Sequence, residues 1–488
     1  MPRRNILYKR VYHSLCTRIF SGQIKPGEKL PAMLDLADEF HVSIITIRST
    51  FKLLQELGLI RVSRGKEAVV IYDRDNIRSQ ERLCQWVKNR ESVINDVFQL
   101  TTTILPNSLS FGAKLVAATD VEKLRVLTEQ IQTQGNEPGA LSLALVEFYS
   151  VLSSLTRNES YDSLMVACDA FSSMTMVAAS QSEDFSASYC SILKEYIGGV
   201  LVRMDKEHIN QLAGYMHGYV QQLADLTAGY MAKLTAGFDV TEKISLEWSL
   251  YSELSLHSEI ANDLILRISA GEFFDGEHLP SEQRLQEEYG TSSKTIRRAI
   301  LALNEYGIVK TVNGIGTIVT FLSLDDAQPL PIGDLSEYAQ YFNALQLILL
   351  NITSICSPGF PTLTDEQIEL ADRRIRRLLE SPNKELYSYV GILLDVAIRD
   401  CPHELTRQIM QQFNTCLFLS CHRRKLASDL FRNVQETTLP YVLDALARLR
   451  ERDNVEFAED VAIILKTLNT ASVEMCRYYH IPTDTPMP

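Results

Sequence analysis

The most constraining feature of this 488-residue chain is an internal repeat. Residues 14–72 align without a gap with residues 263–321 at a constant offset of 249, and 19 of the aligned pairs are identical. The identical pairs are spread along the whole segment and include Gly27/Gly276, Leu30/Leu279, Pro31/Pro280, Ser43/Ser292, Arg48/Arg297 and Gly58/Gly307. A repeat indicates one structural unit built twice, so a fold proposed for the first copy must also suit the second.

Each copy predicts three helices followed by a β-hairpin. In the first copy, Leu30-Pro31 begins a second helix, where the missing amide of proline is harmless. Ser43 is placed as the N-cap of a third helix, and Gly58 ends that helix. Two short β-prone runs follow, Ile60–Val62 and Ala68–Tyr72. Three helices and a hairpin together make a winged helix-turn-helix.

The third helix of each copy is the predicted recognition helix for DNA. The first residues of such a helix reach base edges and phosphates in the major groove, and glycine in a wing allows close approach to DNA. We expect Ile47 and Ile296 to face the core, with the neighbouring threonine and arginine outward. The predicted DNA-binding residues are Ser43, Thr46, Arg48, Arg64, Gly65 and Lys66 in the first copy, and Arg284, Ser292, Lys294, Thr295, Arg297, Arg298, Asn313, Gly314 and Gly316 in the second.

The two copies differ in charge. Residues 1–75 hold 13 Lys or Arg against 8 Asp or Glu, a net charge of +5, whereas residues 246–322 hold 6 against 11, a net charge of −5. The first copy therefore has the stronger general attraction for phosphate. The second copy concentrates its positive charge on the recognition helix, so we expect unequal contributions to binding.

Both segments resemble the GntR family of bacterial transcription regulators, whose pattern reads roughly IxxGxxxPGxxLPSExxLAxxxGVSRxTVRxALxxLxxxGLxxxxxGxGxxV. The second copy keeps the LPSE stretch at Leu279–Glu282, whereas the first departs at Leu34, Ile44 and Glu67. The resemblance implies dimers that bind palindromic operators in double-stranded DNA. One chain carries both winged helices, which we call the first and second heads. We therefore expect either a pseudo-dimer, in which the two heads of one chain bind an imperfect palindrome, or a homodimer of such chains.

The segments outside the repeat predict helical bundles. They contain few alternating β patterns, and residues 200–226 and 439–468 have helical periodicity. We therefore expect a mainly α chain of four domains, with winged helices at 1–75 and 243–322 and all-α domains at 76–242 and 323–488. The resemblance implies that the helical domains bind a small-molecule effector and support dimerisation.

The first helical segment also resembles the FCD type of GntR regulator. Glu147-Phe148-Tyr149, followed by Asn158, is similar to its DxxFH…N stretch, and Met216-His217 is similar to its late histidine stretch. The metal ligands of that type are replaced at most positions, so we expect no metal. The predicted effector-binding residues are Tyr149, Asn158, Tyr189 and His217.

Composition narrows the class of protein further. The nine cysteines form no CxxC pair, which favours a reducing cytoplasm over a disulfide framework or a zinc site. We find neither a signal peptide nor a run of apolar residues that could span a membrane, and we expect no cofactor.

Two alternatives to a DNA-binding regulator remain at this point. The first is an enzyme, because some GntR-type proteins are fused to an aminotransferase-like domain. The helical segments lack the strand pattern of such a domain, and the chain shows none of the short catalytic motifs, so we expect no enzymatic activity. The second is an interaction protein in which one winged helix has lost DNA binding and serves as a docking surface.

Overall fold

The computed structural model describes residues 11–488 except positions 13, 17, 20–23, 41, 57, 64–66, 74, 134–137, 166, 167, 169–181, 206, 243–254, 321–334, 358, 359, 381–385, 400, 424–427 and 479–484. The chain divides into two compact units, Met1–Trp248 and Ser249–Pro488. We describe each unit by itself.

The first unit begins with a winged helix. A helical segment whose described residues lie between 11 and 19 is followed by helices α1 (Met33–Glu39) and α2 (Ile44–Glu56). Strands β1 (Ile60–Arg61) and β2 (Val69–Val70) then pair antiparallel. The three helices supply fully buried side chains to the interior, among them Leu15, Leu36, Ile47 and Leu54. The predicted winged helix is confirmed.

The rest of the first unit is helical wherever the structure describes regular elements. Helices α3 (Ile77–Lys114), α4 (Ala118–Thr133), α5 (Pro138–Thr156), α6 (Glu183–Val202) and α7 (Leu212–Leu234) follow in order, with a 3-10 turn at Ile209–Gln211. Residues 159–165 are also helical. Helix α3 packs against α5 and α7. A Cβ added to Gly112 would lie 2.2 Å from the Leu152 carbonyl oxygen, so the α3–α5 contact requires glycine.

The second unit begins with another winged helix. Helices α8 (Leu256–Ser269), α9 (Glu282–Tyr289) and α10 (Ser293–Glu305) precede strands β3 (Val309–Val312) and β4 (Gly316–Val319). The strands pair antiparallel, with Val312 opposite Gly316. Hydrophobic residues from α8, α9 and α10 form one core with the first residues of β3, so this head has the same architecture as the first.

The repeat extends to individual hydrogen bonds. In the first winged helix, the Leu30 amide donates to the Ala68 carbonyl at 2.8 Å, and the Gly27 amide donates to the Val70 carbonyl at 2.9 Å. At the offset of 249, Leu279 donates to Thr317 and Gly276 to Val319, both at 2.9 Å. Gly27 and Gly276 have φ of 84° and 81°, a backbone region that favours glycine. The two winged helices therefore share their backbone design as well as their sequence.

The second helical region contains six described helices. They are α11 (Leu335–Cys356), α12 (Asp365–Glu380), α13 (Leu386–Arg399), α14 (Glu404–Arg423), α15 (Ser428–Glu451) and α16 (Asn454–Tyr478). A 3-10 turn lies at Phe360–Thr362. Helices α15 and α16 form the most extensive helix pair of this region. The prediction of a mainly α chain with two winged helices is confirmed.

Two stretches with continuous helical periodicity are broken in the structure. Helix α6 ends at Val202, and the Asp205 carboxylate then accepts the amides of Glu207 and His208 before α7 begins. Helix α15 ends at Glu451, since Arg452 adopts a φ of 59°. Side chains of Asp205 and Asp453 cap the restarting chain, and polar capping of this kind competes with helix continuation.

The second winged helix is packed on its helical region. Arg374 of α12 donates a hydrogen bond to the Ala270 carbonyl at the end of α8, at 2.9 Å. Arg377 pairs with Glu277 and stacks over the Phe274 ring. Phe418 and Leu419 of α14 join the hydrophobic core of this winged helix, so the second head and its helices share one continuous interior.

No helix in the described ranges is both long enough and apolar enough to cross a membrane. Eight of the nine cysteines have described side chains, and none of these eight forms a disulfide bond.

Candidate nucleic-acid interface

Both recognition helices, α2 and α10, begin with the same cap. The Ser43 Oγ accepts the Thr46 amide at 3.2 Å and lies 2.9 Å from the Thr46 hydroxyl. The corresponding distances from Ser292 to Thr295 are 3.4 Å and 3.0 Å. A serine cap satisfies an amide that the helix leaves unpaired, and its loss typically costs about 0.5–2 kcal/mol. The two serines that were predicted to contact DNA thus also start the recognition helices.

The side chains of these two helices face as the sequence predicts, except that Thr46 is buried and Thr295 is half-buried. Ile47 and Ile296 are fully buried, as predicted, while Arg48 and Arg297 are exposed. The prediction that Thr46 points outward is wrong. Its side chain is 5% exposed, because it lies on the same helical face as Ile47 and closes the Ser43 cap.

Glu282 lies beside the recognition helix of the second winged helix. Both of its carboxylate oxygens accept hydrogen bonds from the Arg297 Nε, at 3.0 Å and 3.1 Å, and Ser293 donates a further hydrogen bond to it. These bonds from Ser293 and Arg297 lower the pKa of the Glu282 carboxyl. Glu282 belongs to the LPSE stretch, but no role for it was predicted from the sequence. The first copy has Met33 at the equivalent position.

The second winged helix presents three further cations at this end of α9 and α10. Arg284, Lys294 and Arg298 are exposed, and none of them forms an ion pair with another described residue. Arg284 follows the N-cap of α9, while the other two lie in the first two turns of α10. These three residues and Arg297, all of them predicted to bind DNA, therefore form a basic surface around the start of the recognition helix.

The wing of the second copy is a short hairpin. Asn313, Gly314 and Ile315 connect Val312 to Gly316, and the φ angles of Gly314 and Gly316 are 77° and 122°. Such angles favour glycine. Asn313, Gly314 and Gly316 are all exposed. The tip also exposes Ile315, which was not among the residues predicted to bind DNA.

The wing tip of the first copy, Arg64, Gly65 and Lys66, lies outside the described residues. Beside it, Glu67 pairs with Lys29 at 2.6 Å, and this contact raises the pKa of the Lys29 amine. The anion that departs from the family pattern in this wing is therefore offset by a neighbouring cation.

The predicted effector residues have different surroundings. The Tyr149 hydroxyl donates a hydrogen bond to the Tyr196 hydroxyl at 2.9 Å, and Tyr189 is buried. Asn158 is also buried, and its side-chain oxygen accepts the Tyr161 amide at 2.9 Å, which caps the helical segment 159–165. His217 is exposed on α7.

The tyrosines form a cluster inside the first helical region. The Tyr196 ring stacks on Tyr219 with centroids 3.5 Å apart and also lies parallel to Tyr215. Arg203 lies over the Tyr215 ring at 3.9 Å. Burial, together with neighbouring tyrosines, raises the pKa of Tyr149 well above its ordinary value. Among the described residues, no group of three or more His, Cys, Asp or Glu side chains could hold a metal ion.

Two segments of the chain, residues 7–70 and 256–319, match the profile of the family described as "Bacterial regulatory proteins, gntR family". These segments coincide with the two winged helices. Both winged helices are therefore similar to the domain of that family.

Curated relatives are transcription regulators. The Exu regulon transcriptional regulator of Escherichia coli (strain K12) is 31% identical over 133 residues, which cover 26% of this chain and 48% of that protein. The mannosyl-D-glycerate transport/metabolism system repressor MngR of the same strain is 39% identical over 64 residues, covering 13% of this chain and 27% of the relative. The chain thus spans about half or less of the length of these relatives.

Two solved structures are also similar. Streptococcus agalactiae GntR is 17% identical with a TM-score of 0.23, and the match covers 44% of this chain and 99% of that one. E. coli McbR/YncC is 15% identical with a TM-score of 0.24, and the match covers 46% of this chain and 100% of that one.

Proposed function

Since this chain carries two winged helices of the GntR family, we propose that it is a bacterial transcription regulator that binds double-stranded DNA through both of them. The observation that supports this best is the pair of recognition helices. Each begins at a serine cap and exposes an arginine one turn later, Arg48 in α2 and Arg297 in α10. These are the positions from which side chains of such a helix reach the major groove.

We further propose that one chain acts as a pseudo-dimer. A symmetric dimer binds two half-sites because it has two identical heads, and this chain provides two heads by itself. Since the heads differ in charge and in the residues around their recognition helices, the operator is expected to be an imperfect palindrome with unequal half-sites. A homodimer that presents four heads is the other arrangement consistent with the repeat.

A small-molecule effector is proposed to control the binding. The support is the tyrosine cluster in the first helical region, where Tyr149 and Tyr189 supply hydroxyl groups within an apolar interior. Ligand sites are typically apolar with a few convergent polar groups. Asn158 and His217 stay candidates for the same role. If an effector binds one arrangement of the two heads more tightly, it increases the population of that arrangement. The affinity for DNA then changes accordingly.

The proposal is tested by sequencing the genomic DNA fragments that the full-length protein selects, with and without a cell metabolite extract. Footprinting of a selected fragment with Arg48→Ala and Arg297→Ala variants then assigns each half-site to one head. We expect each variant to lose protection over one half and to bind roughly 5- to 150-fold more weakly.

The matched control is Arg125→Ala, which removes an exposed arginine from α4, outside both winged helices. It should bind like the unaltered protein. If neither Arg48→Ala nor Arg297→Ala weakens binding, the assignment of the recognition helices is wrong. If both variants lose protection over the same half of a symmetric site, the proposal of a pseudo-dimer is wrong. Such a regulator would act in the bacterial cytoplasm, where the chromosome lies.

A further inference from the structure

The outward faces of the two recognition helices differ in chemistry at equivalent positions. Ile45 takes the place of Lys294, Ser49 that of Arg298, and on the preceding helix Leu34 and Asp35 take the places of Gln283 and Arg284. Equivalent backbone hydrogen bonds recur in the two copies, so these differences lie on the same part of each head. The surface around the start of the recognition helix is therefore basic in the second head, whereas in the first head these positions hold two apolar residues, a serine and an aspartate.

The apolar side chains of the first head are exposed. Ile45 is 57% exposed and Leu34 is 62% exposed. Ile45 lies in the first turn of α2, on the face opposite the buried Ile47 and Phe51. Leu34 lies in the first turn of α1, and in the second head the first turns of the equivalent helices are joined by the Glu282–Ser293 hydrogen bond. The first turns of α1 and α2 thus each expose one large apolar residue, Leu34 and Ile45.

The second head offers the opposite chemistry at this place. Lys294 extends from the first turn of α10 and forms no hydrogen bond or ion pair with another described residue. Arg297 is 73% exposed at its side chain, and its Nε is held by Glu282. This contact fixes the guanidinium through its Nε, and the terminal nitrogens form no hydrogen bond with another described residue.

The first head is positively charged as a whole, although apolar residues lie at the start of its recognition helix. Residues 1–75 carry a net charge of +5, although Ile45 replaces a lysine at the recognition helix. General attraction to phosphate supplies affinity without sequence information. Base recognition by this head can therefore rest on apolar contacts, while its positive charge holds the backbone of the DNA.

We propose that the two heads recognise different bases. Ile45, together with Leu34, contacts the C5-methyl groups of thymine in an A·T half-site, whereas Lys294 and Arg297 bind guanine in a G·C-containing half-site. The major groove distinguishes these bases because thymine presents a methyl group there, and guanine presents the O6 and N7 acceptors that lysine and arginine favour. This inference rests on the proposed function, since it assigns base chemistry to the two half-sites.

The test uses the full-length protein and its selected operator, with each half-site assigned by the arginine variants. Replacing thymine by uracil in the half-site of the first head removes only methyl groups. We expect binding to weaken by about 4-fold for each contacted methyl, a value that corresponds to the transfer of one methylene-sized group from water. The same replacement in the other half-site should have no effect. Replacing guanine by 7-deazaguanine there should weaken binding about 10-fold.

Reciprocal variants sharpen the assignment. Ile45→Lys should abolish the uracil effect and select guanine in the first half-site, while Lys294→Ile should abolish the 7-deazaguanine effect in the second. The matched control is Val126→Lys, which adds the same charge at an exposed apolar residue of α4. This control should keep the uracil effect, because its lysine lies outside the recognition surface.

The outcomes separate this inference from the function on which it rests. If the protein selects no DNA sequence, both are overturned. If it selects two identical half-sites, or if uracil weakens both halves equally, DNA binding stands and the inference is overturned. If the first head contributes no specified bases and Ile45→Lys leaves the selected sequence unchanged, the inference is also overturned, and the apolar surface meets a protein rather than DNA.

Discussion

Glu282 holds Arg297 in place on the second recognition helix. The Arg297 Nε lies 3.0 Å and 3.1 Å from the two oxygens of the Glu282 carboxylate, and the same carboxylate accepts a hydrogen bond from Ser293. One acidic side chain on α9 therefore connects two residues of α10. A carboxylate next to a proposed phosphate-binding surface repels DNA, so its presence there indicates a positioning role.

Replacing the Glu282 carboxylate with an amide separates its repulsion of DNA from its positioning of Arg297. With Glu282→Gln, we expect binding to unrelated DNA to strengthen, because one negative charge is removed. Preference for the selected operator over a scrambled duplex should fall about 10-fold, since Arg297 loses its fixed direction. Fluorescence anisotropy with the two duplexes at several salt concentrations measures both quantities.

Glu305→Gln is the matched control, because Glu305 is exposed at the opposite end of the same helix. It removes the same charge and should leave the preference for the operator unchanged. A Glu282→Gln variant that keeps its full preference would show that Arg297 needs no positioning by Glu282.

The serine caps allow the role of Ser43 in folding to be separated from its role in DNA binding. Ser43→Ala should lower stability by about 0.5–2 kcal/mol, since the Thr46 amide loses its acceptor. Ser43→Asp should keep the stability, because aspartate is an equally good cap and its charge is favourable at a helix N-terminus. The same aspartate should weaken DNA binding by repelling phosphate. Thermal unfolding and gel shift, measured on both variants, check the prediction; an aspartate variant that binds DNA normally would place Ser43 away from the phosphates.

The contact between the second winged helix and its helical region depends on Gly391. A Cβ added to this residue of α13 would lie 2.5 Å from the Ser269 carbonyl oxygen at the end of α8. We expect Gly391→Ala to destabilise the protein by about 1–3 kcal/mol, because backbone must move to relieve the overlap. Each kcal/mol lowers the Tm by roughly 2–4 °C in a unit of this size, which calorimetry resolves.

Gly214→Ala serves as the matched control for that substitution. Gly214 lies in helix α7 with nothing within 4 Å of its added Cβ, and alanine is favoured over glycine in a helix by about 0.5–1 kcal/mol. The control should therefore raise the Tm slightly. Equal melting of the Gly391→Ala variant and the unaltered protein would contradict the close packing of α8 on α13.

The winged helices could be predicted from sequence because their determinants are local. Glycines at required turns, a serine cap and helical spacing fix each element within a few residues, and the repeat tests each assignment twice. Thr46 was placed outward as a neighbour of the core-facing Ile47, whereas it is buried beside Ile47. The role of Glu282 could not be derived, since it depends on how α9 crosses α10 and brings together residues 15 positions apart.

The helical regions show the same limit. The absence of alternating patterns predicted that these regions are helical. It did not predict that α15 ends before Arg452. The Arg452 guanidinium donates to the Leu363 carbonyl at 2.6 Å and to Asp365 at 2.8 Å. These partners are distant in sequence, so they leave no periodic signal near residue 452. Local sequence therefore predicted which segments are helical better than where two helices are separated.

Asp162 of the first helical region is expected to make stability depend on pH. One of its carboxylate oxygens is buried without a hydrogen-bond partner among the described residues, and burial raises the pKa of this carboxyl above 3.8. A group with a raised pKa in the folded state holds its proton more tightly there than in the unfolded state. Its contribution to stability is therefore lost as pH rises from the ordinary pKa through the folded-state pKa, and Asp162 weakens the fold at neutral pH.

Asp162→Asn should remove this effect, because the amide carries no charge to desolvate. We expect the Tm to rise by roughly 2–4 °C at pH 7.5, the change that about 1 kcal/mol produces in a unit of this size. The gain should be smaller at pH 4.5 than at pH 7.5, because the raised pKa lets the buried carboxyl take up its proton more readily as the pH falls. Glu147→Gln, at an exposed position of α5, is the matched control and should show no pH-dependent gain. An Asp162→Asn variant whose Tm gain is the same at both pH values would mean that charge burial is not what destabilises this position.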